Sequence, residues 1–442
     1  MKNTLKLRQR LGSSGAVLGI LTVALALGAQ SIAGPQEAPS GLDNQTNGTI
    51  DQATFDGALG TFSEVEEVAD GLGPVFNNTS CVGCHLSGGA VGGSSQVTVL
   101  RAGHYEGTMG GPIRARRDQN EQLRGFNFPG GPNLGGTFVP STVQLADGSS
   151  IVQRSLINQR AICADAQSIL GPRDNVTAQR ISLSALGDGY VEAVPDQTLR
   201  GIAATQASTT RGRIHGQAID VPLLEFDGVT RVGRFGAKDQ HASLLSFAAD
   251  AYLNEMGITS VLLPDEVTTT CQPAGVPPIN DQDNDIQIFA AFMRATKTPS
   301  NNPPIPAGPG LTIFRDLECA VCHVESLTTA APGTQLVGGP YAYLVPAAIG
   351  NRVFHPLSDF LLHDIGTGDG IVQNGGDDTA NKLRTMPLWG LRTRTELMHD
   401  GASTTFDQAI LRHRGEALNS SLRYSRMAPQ QKQALWAFLR RL

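Results

Sequence analysis

Apolar and polar positions divide this 442-residue chain into a greasy start, a helical opening, a long irregular middle and a helical end. Lys2, Lys6, Arg8 and Arg10 precede an apolar run over residues 16–29, and Ser31-Ile32-Ala33 supplies the small residues a signal peptidase needs. The run is too short for a comfortable membrane span, and no later stretch reaches the roughly 18 consecutive apolar residues of one. Residues 1–33 therefore read as a Sec-type secretory signal, and the polar, turn-rich residues 34–50 as a mobile leader. The pattern then predicts a helix over 54–70, broken at Gly71-Leu72-Gly73-Pro74. Residues 286–295 (IQIFAAFMRA) and 434–442 (ALWAFLRRL) share one amphipathic pattern, each closing its half of the chain. Residues 404–417 read as another helix, N-capped by Thr404 with Asp407 three residues on, placing Phe406, Ala409, Ile410 and His413 on one face. Ahead of Arg234 lies a Gly-rich insertion with β-like segments at 135–143 and 219–224.

Two short stretches carry the chemistry. Cys81-Val82-Gly83-Cys84-His85 and Cys319-Ala320-Val321-Cys322-His323 are both C-x-x-C-H, the pattern for covalent attachment of c-type haem. Two thiols at this spacing lie on one turn, where they can form thioethers with one porphyrin while the following His reaches the iron. A zinc knuckle would need four clustered ligands, and a thioredoxin-like motif needs no following His. Two covalently bound haem c groups are expected, on His85 and His323. Phe76 and Phe314 each stand five residues before the first cysteine of their motif, so the halves read as a duplicated haem domain. Residues 298–310, with five prolines, form the linker between residues 51–297 and 311–442. The insertion is expected to cover the first haem.

Composition narrows the class. A formal charge of −6 leaves no electrostatic footprint for nucleic acid. Fifty-one Gly and 25 Pro indicate more turns than a plain helix bundle needs. Six cysteines less the four of the motifs leave Cys163 and Cys271, most simply a disulfide in an oxidising compartment. Haem attachment and a secretory signal together imply a bacterial periplasmic or secreted protein, with no membrane span once the signal is removed.

The chain resembles a known family, the dihaem oxidoreductases described as peroxidase-like or thiol oxidoreductase-like, related to bacterial dihaem cytochrome c peroxidases. Matching stretches are Gly73-Pro74-Val75-Phe76-Asn77, residues 187–196 (GDGYVEAVPD), Gly233-Arg234-Phe235-Gly236 and residues 254–259 (NEMGIT). The second half adds residues 359–366 (DFLLHDIG), 384–390 (RTMPLWG) and His399-Asp400-Gly401. The resemblance implies a mainly α fold of two cytochrome c-like haem domains, the first enlarged by a loop-rich insertion with some β. One haem would transfer electrons and the other would catalyse.

In the relatives, the axial ligand of the second haem lies at the distance of His413 after the His-x-Gly turn, which implies ligation by His323 and His413; Met398 and His399 are rivals. The relatives carry a Glu over the peroxidatic haem at the position of Glu255, which implies an acid/base role there. For the first haem, His104, His215 and His241 lie in plausible loops, and an open sixth position is the alternative. Arg234, Lys238 and Arg384 could pair with haem propionates, since guanidinium suits planar carboxylates. The family's Trp is replaced by Ala237, which cannot relay electrons between the haems. The Thr-x-Pro turn of the peroxidases' calcium site is not matched at Arg394-Thr395-Glu396-Leu397, so no calcium is expected. The implied function is reduction of hydrogen peroxide or a related small oxidant at the N-terminal haem, with electrons from a small redox protein reaching the C-terminal haem. The alternatives are an electron-transfer cytochrome without substrate chemistry of its own and a dihaem oxidase that modifies a partner protein.

Overall fold

Asp51 opens the first helix: its carboxylate accepts the Thr54 amide at 2.9 Å, and α1 runs Gln52–Ser63 with Phe55, Ala58 and Phe62 buried. The structure is a computed structural model, and it describes residues 36–106, 137–140, 143–145, 150–151, 156–300 and 305–442. The signal at 1–33, part of the predicted strand at 135–143 and residues 301–304 of the Pro-rich linker lie outside the described residues. The first helix stops short of residue 70 because Glu64 turns extended and the Glu66 amide bonds the Thr79 carbonyl at 2.8 Å. Only a 3₁₀ turn at Val68–Asp70 follows.

Eight further helices follow in order: α2 (Asp188–Glu192), α3 (Asp196–Thr209), α4 (Leu244–Met256), α5 (Asp285–Ala295), α6 (Pro309–Asp316), α7 (Phe406–Leu411), α8 (Leu418–Ser425) and α9 (Pro429–Leu439). The first closing helix, α5, forms where the amphipathic pattern placed it, whereas α9 starts five residues ahead of the expected 434 and ends three short of 442. Each packs on the helix that leads its half: α5 on α1, and α9 on α6. Phe62 of α1 meets Phe289 and Phe292 of α5 at 5.9 and 4.7 Å between ring centres, and Phe314 of α6 meets Phe438 of α9 at 5.5 Å. The α6–α9 contact depends on Gly310, where a Cβ would fall 2.4 Å from the Ala434 carbonyl oxygen.

The duplication therefore holds for the helix pairs, but not for the phenylalanines expected to match. Phe76 sits in a strand, Val75–Phe76, whereas Phe314 is helical. The counterpart of Phe314 is Phe62: each ring lies 6.2 Å from the histidine of its motif.

The expectation of a mainly α fold is overturned. Among the described residues, short strands form eight small sheets. The largest sets Thr98–Glu106 antiparallel to Val176–Ile181 and to Thr137–Pro140, with Leu156–Ile157 also pairing on it. Others are two-residue pairings between distant loops, such as Val75–Phe76 with Arg160–Ala161. A Gly- and Pro-rich chain that cannot stay helical still has to satisfy its buried backbone groups, and such pairings do so. Residues 36–50 are not a mobile leader: Gln36–Glu37 pairs in parallel with Arg352–Val353, and the Asn47 side chain bonds the Arg294 and Thr296 carbonyls at 2.9 and 3.0 Å. These contacts tie the start of the described chain to both sides of the proposed boundary at 298–310. Cys163 and Cys271 form a disulfide, as the cysteine count implied. No helix among the described residues is long and apolar enough to cross a membrane.

Candidate functional site

Both C-x-x-C-H motifs fold alike. Each begins with a 3₁₀ turn, Cys81–Gly83 or Cys319–Val321, and in each the histidine amide bonds the carbonyl of the first cysteine at 2.9 Å. At the second motif both cysteines and the histidine line one cavity. Burial raises all four thiols, Cys81 and Cys319 to about 12 and Cys84 to about 11.

The second motif opens onto a cavity of about 200 Å³ lined mostly by apolar side chains. Cys319, Cys322, His323 and His413 all line it, as do Met386, Met398, His399 and Arg384. The His323 Nδ1–H donates to the Leu357 carbonyl at 2.9 Å, and the His413 Nδ1–H donates to the Ala409 carbonyl at 2.8 Å. Each bond fixes the tautomer that leaves Nε2 with its lone pair, as an iron ligand requires. Burial lowers both imidazoles, His323 to about 4, so both stay neutral. The helix carrying His413 is shorter than expected, α7 ending at Leu411 with Thr405, not Thr404, as its cap. Past it, Arg414 and Glu416 bond the Ile365 and Asp364 carbonyls at 2.8 Å each, pulling the chain out of the helix. His413 still faces the cavity.

Two buried groups on this cavity fit a porphyrin's carboxylates. Arg384 sends Nη1 to the Arg234 carbonyl at 2.7 Å, and its Nε, 3.9 Å from Asp239 Oδ1, makes no hydrogen bond; both ring nitrogens of His399 lack hydrogen-bond partners. Arg234 is spent elsewhere. It is fully buried and donates to Val232, Val194, Val191, Glu192 and Asp196, which leaves at most one N–H for anything further. Lys238 is likewise enclosed, donating to the Thr379, Ala380 and Lys382 carbonyls at 2.6–3.1 Å and pairing with Asp369 at 3.0 Å.

His363 falls in the matched stretch 359–366 (DFLLHDIG). It is buried between two carboxylates, Nε2 to Asp359 at 2.9 Å and Nδ1 to Glu416 at 2.8 Å, and lies 3.8 Å from the Cys322 sulfur. Despite burial, Asp359 holds it well above the usual imidazole range. No local pattern announces this clamp, because its three members are separated by up to 57 residues.

Around the first motif, His85 packs against Phe62, while Asn77 links the approach strand to α4. The Asn77 amide donates to the Glu255 carbonyl at 2.7 Å, and its side chain donates to Glu255 Oε2 at 2.6 Å. Glu255 is close enough to raise Cys84 by its charge, and Arg101 Nη2 lies 4.0 Å from its Oε1. The structure thus brings Glu255 beside the first motif, with Asn77 from the matched stretch 73–77 and Arg101, which no motif had flagged. His241 pairs with Asp250 of α4 at 3.2 Å and is buried, as is His104, whereas His215 is exposed. Ala237 is buried, and its carbonyl accepts the Arg384 amide at 3.0 Å.

Residues 267–442 match a family model described as di-haem oxidoreductase, putative peroxidase. The match includes the second C-x-x-C-H motif, His363, Arg384, His399 and His413. The match supports the family that the resemblance implied, and haem is the cofactor that the family's description indicates. No curated protein matches the chain.

Proposed function

We propose that this chain is an exported dihaem c-type oxidoreductase that takes electrons from a small redox protein beside His323 and reduces hydrogen peroxide or a related small oxidant beside His85. The observation that carries the reading is the single cavity that collects Cys319, Cys322, His323 and His413, with both imidazoles restrained to offer Nε2. Covalently attached haem supplies one-electron chemistry and, where its iron keeps a free position, a place for peroxide. The chain's own groups do the rest. His323 and His413 would hold the haem iron at the second site, an arrangement suited to electron transfer. Arg384 and His399 would hold propionates there.

At the first site, Glu255 is the group that takes a proton from the near oxygen of the substrate and returns it to the far one. Asn77 holds that carboxylate in place, and Arg101 supplies positive charge nearby. The test is peroxide-dependent oxidation of a reduced donor by the holoprotein. Glu255→Gln should lower turnover about 100-fold with both haems retained. Equal turnover in the variant, or no peroxide consumption by the natural chain, would refute the assignment. Buried Ala237 favours a second reading, an electron-transfer cytochrome without substrate chemistry, because no aromatic bridges the halves at that position.

A further inference from the structure

Helix α8 is the wall between the second cavity and solvent. Ala417, Ser420 and Ser421 line the cavity. Tyr424 anchors the helix, accepting the Trp436 indole N–H at 3.0 Å and donating to Asp407 at 2.9 Å. On the outer face Leu418 and Leu422, one turn apart, are 40% and 43% exposed. A single exposed leucine is ordinary, but a paired one on a helix of roughly 10 Å diameter, backed by a redox site, is not.

Charge surrounds this pair. Arg414, Arg423 and Arg426 are exposed on and beside α8. Arg213 clasps Glu318 through both Nη atoms at 3.1 and 3.2 Å, and Asn419 of α8 bonds the same carboxylate at 3.2 Å. Glu318 immediately precedes Cys319, and Arg423 acts on both by its charge. The Glu318 carboxylate is thus already paired. Residues 405–442 hold seven Arg or Lys against two Asp or Glu, in a chain whose overall charge is −6.

We infer that the outer face of α8 is the docking surface for an acidic electron-carrier protein, with Leu418 and Leu422 at the contact centre and Arg414, Arg423 and Arg426 steering it. The inference rests on the reading of the His323 site as the place where electrons arrive. Small, transient redox interfaces need little area, and an apolar centre ringed by charge gives fast, salt-sensitive encounter.

The experiment is stopped-flow reduction of the oxidised holoprotein, following each haem separately. The probes are a reduced acidic ferredoxin, a reduced basic cytochrome c and a neutral hydroquinone. The ferredoxin should reduce the His323 haem first, with a rate constant falling about tenfold on raising salt from low to high. The double variant Arg423→Glu/Arg426→Glu and, separately, Leu422→Asp should each slow the ferredoxin about tenfold and leave the hydroquinone rate and the haem spectra unchanged. If the His323 haem is reduced first but neither variant matters, or if the basic cytochrome is the faster donor, the docking face is wrong while the electron-accepting site stands. If the His85 haem is reduced first by every probe, both fail.

Discussion

His323 and His413 reach one cavity from residues 90 positions apart, yet carry the same restraint, an Nδ1–H bonded to a backbone carbonyl. Replacing His413 by Ala should remove the low-spin signature of the second haem and change its potential. An unchanged spectrum would return the ligand role to His399 or Met398, which line the same cavity. Lys238 makes a separate prediction. Its ammonium satisfies three carbonyls and Asp369, which Arg180 also holds at 2.7 Å. Lys238→Met should cost about 3 kcal/mol, read from denaturant unfolding, because it leaves a buried carboxylate and three carbonyls short of a donor. A cost below about 1 kcal/mol would mean that water fills the gap. At this scale the sequence was most legible where function demands local spacing, as in the two motifs. It was silent where residues meet only through the fold: Arg101 with Glu255, or His363 with Asp359 and Glu416.

Among the elements, the amphipathic closers α5 and α9 were legible because their apolar spacing is long and regular. The ends of α1 and α7 were not, because long-range backbone bonds, Glu66 to Thr79 and Arg414 to Ile365, draw the chain away from the helix. The small sheets were largely invisible. Two-residue pairings such as Gln36–Glu37 with Arg352–Val353 carry no periodicity to detect. The α6–α9 pair offers a test: Gly310→Ala places a methyl against the Ala434 carbonyl and the Phe438 Cβ. It should destabilise the chain by about 2 kcal/mol and lower the occupancy of the second haem, measured from the haem-to-protein absorbance ratio. Full stability would show that the two helices can move apart freely.

Over the whole molecule, buried acids set the dependence of stability on pH. Burial raises Glu66 from 4.5 to about 7, Asp188 from 3.8 to about 7 and Asp285 from 3.8 to about 6. Each binds its proton more tightly folded than unfolded, so the stability linked to it is complete below the unfolded pKa and is lost as pH rises through the folded one. His363, raised by Asp359, acts in the same sense at higher pH. Asp250 is lowered by His241, and Asp369 by Arg180 and Lys238, so these acids act oppositely and lose their contribution as pH falls below about 4. Burial lowers His85, His323, His399 and His413, which stay neutral in the fold, so their contribution grows until pH passes the ordinary imidazole value of 6.5 and offsets the loss from the raised acids up to there. The melting temperature should therefore fall from about pH 6.5 towards pH 8. A melting temperature still rising at pH 8 would contradict these assignments.

The central claim is that the chain holds two unlike haems, one closed by His323 and His413 and one open beside His85 and Glu255. Low-temperature EPR of the purified holoprotein, fully oxidised and then half-reduced, tests it most directly. One low-spin haem of bis-histidine character, lost in the His413→Ala variant, is expected, with a high-spin signal from the other in at least one of the two states. Two low-spin haems in both states would contradict it, and the molecule would then be an electron carrier rather than a peroxidase.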